Sequence, residues 1–233
     1  MKNYWVIIPA AGIGRRMGAS LPKQYLPLNG KTVLEYTLDC FVSHPHISGI
    51  ILVIAADDAY WPALAPRYGQ QVTSVIGGAE RFQSVLNGLN QLADSADADD
   101  WVLVHDAVRP CLRHSDVDSL IASLSTHTVG GLLGLPIADT IKYCNPDGTV
   151  ANTVPRDHLW RALTPQMFRF STLRNALQKA TEDGVLVTDE AAAIEYIGHR
   201  PQLVVGRADN IKITRPDDLR LAQWYLQERS VYQ

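Results

Sequence analysis

Three cations, Arg15, Arg16 and Lys23, fall within nine residues near the start of the chain. They follow a run of small residues, Pro9-Ala10-Ala11-Gly12-Ile13-Gly14, which itself follows the apolar stretch Tyr4–Ile8. Small residues let a backbone approach an anion closely, and the unpaired N–H groups that open a helix attract it. Arginines on a solvated helix face are the plainer reading; the strand–loop–helix context favours a phosphate-binding turn.

Two well-known phosphate fingerprints do not fit. No Lys-Ser or Lys-Thr pair follows the last glycine, as a P-loop requires. In the dinucleotide pattern G-x-G-x-x-G, Gly12 and Gly14 match, but Met17 takes the third glycine's place. The ribose-binding acid of that pattern should end the second strand, about 20 residues on. The first acids there are Asp57 and Asp58, more than 40 residues beyond Gly14. Three fixed cations suit a nucleoside triphosphate with a departing pyrophosphate, where they stabilise charge as it develops.

Other candidates lie far along the chain. Gly77-Gly78, ahead of Ser84 and Val85, offers close backbone approach to a base or ribose, although a plain turn explains the glycines as well. Asp106 and Arg109 follow the buried run Trp101–His105, at a strand's carboxyl end where ligands bind in open α/β sheets. Asp106 there could meet a magnesium ion or a substrate hydroxyl, and Arg109 a phosphate; a strand-end salt bridge accounts for them equally well. Thr188 and Thr214 read as helix N-caps with acids in the following turn. Lys212, alone between two isoleucines, is either directed into a site or simply at the surface.

The elements that must carry these residues alternate. Apolar runs near Tyr4–Ile8, Gly49–Ile54, Val72–Ile76, Trp101–His105, Gly131–Pro136 and Leu203–Val205 read as strands. Between them, Val33/Leu34/Thr37/Leu38/Phe41, Val85/Leu86/Leu89/Leu92 and Val117/Leu120/Ile121/Leu124 recur at helical spacing. Further helices are expected near Ser171–Thr181, Asp189–Tyr196 and Pro216–Gln227. This predicts an α/β fold, a Rossmann-like and mostly parallel sheet covered by helices on both faces. Ile137 to Arg156 breaks the alternation as strand, Asn145-Pro146-Asp147-Gly148 turn and strand, a protruding hairpin arm. The expected organisation is one nucleotide-binding catalytic domain, 1–136 with 157–233, and an arm, 137–156. Either a partner subunit or the chain's own body could cover that arm.

Bulk composition is that of an ordinary globular domain: 233 residues, 46% apolar and 19% charged. A net charge of −3 speaks against nucleic acid as a partner, and no apolar run is long enough to span a membrane. Cys40, Cys111 and Cys144 lack metal-site or disulfide spacing, so each reads as a small, partly buried hydrophobe in a reducing cytoplasm. The N-terminus enters a strand too soon for a signal peptide. The acidic tract 94–100 reads as a solvated loop rather than a metal site.

Taken in order, P-A-A-G-x-G-R-R-M at 9–17, P-K-Q-Y at 22–25, G-G-x-x-R-x-x-S-V at 77–85, V-H-D-A-x-R-P at 104–110, D-T at 139–140, L-T-P-Q at 163–166, T-D-E-A at 188–191 and R-A-D-N-I-K-I-T-R-P at 207–216 resemble the 2-C-methyl-D-erythritol 4-phosphate cytidylyltransferases of the non-mevalonate isoprenoid pathway. The resemblance implies CTP over the loop of Pro9, Ala10, Ala11, Gly12, Gly14, Arg15 and Arg16. Lys23, Gly78, Ser84, Asp106 and Ala107 would line the same site. It implies an acceptor site of Asp106, Arg109, Thr164, Thr188 and Lys212, completed by Thr140 and Arg156 from a partner's arm in a homodimer. Arg16, Lys23, Arg156 and Lys212 would carry the catalysis. Magnesium would ride mainly on the CTP phosphates, with Asp106 nearby and acting through water. Ala79 stands where some relatives carry Asp, which removes a side-chain contact to the ribose or base. Pro155 precedes Arg156 and would alter the arm's approach. A cytidylyltransferase for ribitol 5-phosphate or another polyol phosphate is the nearest alternative. An NAD-dependent oxidoreductase and a silent nucleotide-binding module are remoter ones.

Overall fold

The computed structural model describes residues 2–12 and 21–231. Gly14, Arg15 and Arg16 lie outside the described residues. In chain order the elements are β1 (Tyr4–Pro9), β2 (Pro27–Leu28), β3 (Lys31–Thr32), α1 (Val33–Val42), β4 (Ile47–Ile54), α2 (Trp61–Leu64), β5 (Val72–Ile76), α3 (Arg81–Leu92), β6 (Trp101–Val104), α4 (His114–Leu124) and β7 (Gly130–Pro136). There follow β8 (Ile141–Cys144), β9 (Val150–Val154), β10 (Trp160–Arg169), α5 (Phe170–Glu182), α6 (Glu190–Tyr196), β11 (Gln202–Val205) and α7 (Pro216–Val231).

Seven strands form one sheet in the order β11-β7-β10-β6-β1-β4-β5. Its pairs are parallel except those made by β10, which runs antiparallel to both β6 and β7. The mostly parallel sheet expected from the sequence is therefore present, with one reversed strand that the apolar runs did not announce. Strand β10 contains Pro165, which has no N–H for a ladder, and its pairing with β7 shifts between Ala162 and Gln166.

Alternate residues of each central strand enter opposite cores. Val6 and Ile8 of β1 pack with Leu34, Leu38 and Phe41 of α1 and Leu120 of α4. Ile7, between them, packs with Val85 and Leu89 of α3, Leu173 of α5 and Ile194 of α6. Both faces are thus covered, which is why β1 and β6 are continuously apolar. Helix α1 starts at a capping box: Thr32 Oγ1 accepts from the Glu35 N–H at 3.2 Å, and Glu35 Oε2 accepts from the Thr32 N–H at 2.7 Å.

The hairpin is present with slightly shorter strands than expected. β8 and β9 pair only with each other as a separate two-stranded sheet, and Tyr143 and Val150 are largely exposed. The turn closes through Asn145 N–H to Thr149 O at 2.8 Å and Gly148 N–H to Asn145 O at 3.0 Å. Gly148 has φ +85°, which its missing Cβ permits.

Two minor expectations change. Cys144 is exposed on β8 rather than partly buried. Within the acidic tract, Asp100 is buried and accepts from Asn3 N–H, Trp5 Nε1 and Asp97 N–H, so it ties the loop to β1. Among the described residues no helix is long and apolar enough to cross a membrane.

Candidate active site

Strand β1 has β4 on one side and β6 on the other. The chain leaves β1 toward β4 and β5, then returns to β6, so strand order reverses beside β1. At such a switch point the loops leaving two neighbouring strands part and open a crevice at their carboxyl ends. A cavity of about 270 Å³ lies there. Pro9, Ala10, Ala11 and Gly12 line it from β1, Gly78 and Ser84 from the β5–α3 turn, and Asp106 and Ala107 from the end of β6. Lys23 and Lys212 complete the set of expected residues on its wall, and Gln24 and Arg81 join them.

The first loop is held from both sides. Ala10 N–H donates to Val53 O at 2.7 Å, and the buried Gln24 amide donates through Nε2 to Ala10 O at 2.6 Å. Gly77 lets the second loop close upon the first: a Cβ there would lie 2.7 Å from Ser84 Oγ and 2.8 Å from Ala11 Cβ. Ser84 Oγ accepts from Gly78 N–H at 3.1 Å and donates to Glu80 O at 3.2 Å, so its hydroxyl shapes the turn as well as lining the cavity. Lys23 is buried, with Nζ 3.4 Å from Ile213 O.

Asp106 is the electrostatic centre. It is 7% exposed. Arg81 donates through Nε to Oδ1 at 3.3 Å, while Arg109 Nε and Lys212 Nζ approach Oδ2 at 3.2 and 3.0 Å. Burial pushes the Asp106 carboxyl up, but Arg81, Lys212 and Arg109 outweigh it and hold it well below the usual carboxylate range. The pair Asp106–Arg109 is thus a strand-end salt bridge and part of the cavity floor at once. Lys212 is placed by its neighbour, because Ile213 is fully buried and its N–H donates to Val108 O at 2.9 Å.

Beneath this floor, His105 is fully buried and its ring is held neutral, pulled down to about 3 by burial. Its Nε2 faces Arg109 O at 3.3 Å, an acceptor, so that nitrogen carries the proton. Nδ1 then accepts from Thr164 Oγ1 at 3.0 Å, and the same Oγ1 accepts from Asp106 N–H at 3.3 Å. Asn210 Nδ2 donates to Thr164 O at 2.7 Å, and Arg109 Nη1 to Asn210 O at 2.8 Å. Thr164 and Arg109 are therefore buried against the cavity floor rather than on its wall.

Two other expectations change. Helix α6 is capped by Asp189, which accepts from Ala192 N–H at 2.9 Å, and not by Thr188, which is exposed. Thr214 does not accept as a cap either; its N–H and hydroxyl both donate to Asp218 Oδ2 at 2.8 Å. Thr140 and Arg156, assigned by the resemblance to a partner's site, lie in the arm on either side of its two strands, are exposed, and do not line this chain's own cavity; Arg156 donates to Ala138 O. Motif spacing had included Arg81, Glu190 and Gln24 without giving them a role. Glu190 is fully buried and accepts twice from Arg81, at 2.7 and 3.2 Å.

Comparison with known proteins identifies the family. The profile of the family "IspD: 2-C-methyl-D-erythritol 4-phosphate cytidylyltransferase" matches residues 4–228. The enzyme of that name from Pseudomonas syringae pv. tomato is 51% identical over 230 residues, 98% of this chain and 96% of the relative. That from Pseudomonas aeruginosa is 53% identical over 217 residues, 93% of each. The crystal structure of the Francisella tularensis enzyme superposes with a TM-score of 0.83 at 38% identity, over 96% of this chain and 99% of that one.

The chain belongs to the 2-C-methyl-D-erythritol 4-phosphate cytidylyltransferase family.

The resemblance implied magnesium mainly on the CTP phosphates, with Asp106 nearby and acting through water. The residues present do not suit Asp106 as a direct metal ligand. Both Asp106 oxygens are engaged by three cations, a setting that repels a further one. Among the described residues no group of three or more His, Cys, Asp or Glu side chains could hold a metal ion. The cavity wall carries the cations Lys23, Arg81 and Lys212 alongside Glu80 and Asp106.

Proposed function

We propose that this chain joins CTP to 2-C-methyl-D-erythritol 4-phosphate, giving 4-diphosphocytidyl-2-C-methyl-D-erythritol and pyrophosphate. One observation carries the reading: pieces of sequence as distant as residues 9–12, 23, 78–84, 106–107 and 212 meet around one cavity at the sheet's switch point.

An oxygen of the 4-phosphate attacks the α-phosphorus of CTP in line. A new P–O bond forms, the bond to the bridging α–β oxygen breaks, and pyrophosphate leaves with that electron pair. The nucleophile is already an anion, so no general base is required. Asp106 would be a poor one in any case, because its neighbouring cations keep it ionised and weakly basic. Its work is to hold Lys212 and Arg109 in place and to accept from a substrate hydroxyl. Lys23, with Arg16, stabilises charge developing at the α-phosphate; Lys212 and the partner's Arg156 hold the attacking phosphate. The arm, 137–156, acts in a homodimer, with its Thr140 and Arg156 completing the neighbouring site. Magnesium travels with the triphosphate as part of the substrate. The cytoplasm is the compartment this reading implies.

The test is pyrophosphate release with each of the four nucleoside triphosphates, with magnesium, against a panel of polyol phosphates. Release confined to CTP with methylerythritol phosphate is the expected result. Activity with ribitol 5-phosphate alone overturns the acceptor, and release with no pair overturns the reaction class. Lys23→Ala should lower kcat about 100-fold while changing the KM for CTP less than about threefold. An unchanged kcat removes Lys23 from the transition state.

A further inference from the structure

Arg81 on the wall of the cavity and Glu190 buried behind it have no part in the chemistry described so far. Arg81 opens α3 and Glu190 opens α6. Glu190 is 0% exposed, and both its oxygens accept from Arg81, Nη1 at 2.7 Å and Nη2 at 3.2 Å. The other edge of the same guanidinium reaches Asp106 Oδ1 through Nε at 3.3 Å. One planar group thus lies between two carboxylates and touches the one at the centre of the site.

Packing alone does not account for this. Burying a carboxylate and a guanidinium costs several kcal/mol in lost hydration, and apolar side chains tie helices together at lower cost. A rigid fork between two carboxylates fixes orientation, which a single ammonium cannot do. The anchor behind Glu190 is itself tight. The buried Gln166 of β10 donates to Asp189 Oδ2 at 2.9 Å and accepts from Ala191 N–H at 2.8 Å, which sets the backbone on both sides of Glu190. Glu190 takes the Nη1–Nη2 edge of Arg81 and so neutralises part of its charge beside the cavity.

Resting on the functional reading above, we propose that Arg81 and Glu190 are positioning residues for cytidylyl transfer. Glu190 orients the Arg81 guanidinium, and Arg81 in turn fixes the Asp106 carboxylate with Oδ2 toward Lys212 and Arg109. Neither residue touches the reacting atoms; both act through Asp106.

The variants are Glu190→Gln, Arg81→Lys and the double change, with CTP and methylerythritol phosphate as substrates and a thermal melt for each. Glu190→Gln keeps shape but loses the charge pair. Arg81→Lys keeps the charge but cannot span both carboxylates. Each single change should lower kcat about 30-fold with the KM for CTP raised less than about threefold, because misplacement acts on the transition state. The double variant should lose no more than the worse single one, since the two residues act as one unit. Should Glu190→Gln not fold, Arg81→Lys, at a partly exposed side chain, supplies the kcat readout by itself. A kcat within about twofold of wild type in a folded variant overturns the proposal, and so do independent, multiplying losses in the double variant. Wild-type turnover in the same assay reads the functional assignment separately. If the wild type turns over and the variants match it, only the positioning role falls; if the wild type releases no pyrophosphate, both fall.

Discussion

Asp106 and Arg156 belong to the same expected acceptor site, yet they are held in contrasting ways. Asp106 is buried at the end of β6, with Arg81, Arg109 and Lys212 on its two oxygens and His105 and Thr164 beneath it. Arg156 is exposed just beyond a hairpin that pairs only with itself, and it donates to the nearby Ala138 carbonyl. The cavity floor is therefore preorganised within one chain, at the cost of burying several charges. The arm keeps Arg156 exposed to water, where the proposed second subunit would use it.

The strongest way to break this contrast is to remove the centre of the floor. Asp106→Ala leaves Arg109 buried without its carboxylate, and should destabilise the protomer by about 3 kcal/mol and lower kcat at least about 100-fold. Chemical unfolding and pyrophosphate release read the two effects. A variant with wild-type stability would show that the cations are not held by Asp106.

Arg156→Ala should reduce kcat/KM for methylerythritol phosphate about 100-fold and leave the melting temperature unchanged. Mixed with inactive Lys212→Ala protein, it should regain about a quarter of wild-type activity, because half of the dimers then carry one intact site. No recovery on mixing would mean that the arm serves its own chain.

The floor should also make stability depend on pH. An ordinary histidine binds a proton near 6.5, but buried His105 does so only near 3 in the folded chain. Between those values the unfolded chain binds the extra proton, so stability falls as pH is lowered, by up to roughly 1.4 kcal/mol per pH unit. His44, also lowered chiefly by burial, acts in the same direction. Asp106 works differently: its stabilisation is complete above the unfolded value of 3.8 and fades only as pH drops through its much lower folded value. Urea unfolding from pH 7 to 4 should therefore show a slope that His105→Gln reduces by about one proton. An unchanged slope would mean that the imidazole is not buried neutral.

The smallest effect belongs to the arm's surface. Tyr143→Ser on β8 should change protomer stability by less than about 0.5 kcal/mol, while weakening self-association measured by sedimentation. A large loss of protomer stability would place Tyr143 in the chain's own core.

Local sequence determined much of this molecule. The apolar runs at Tyr4–Ile8 and Trp101–His105, the helical spacing of Val33 to Phe41 and the Asn145–Gly148 turn all formed the expected elements, because each depends on residues a few positions apart. The small residues at 9–12 and the motif at 104–110 likewise marked the cavity. Tertiary structure decided the rest. Strand β10 reads poorly by itself because Pro165 interrupts it, and its place between β6 and β7 depends on partners far along the chain. The cap on α6 fell to Asp189 rather than Thr188, a one-residue choice set by the tie to Gln166. Which cations surround Asp106 is likewise invisible locally: Arg81, Arg109 and Lys212 come from three separate segments. Only folding puts them within about 3 Å of one buried carboxylate, close enough for charge to outweigh desolvation.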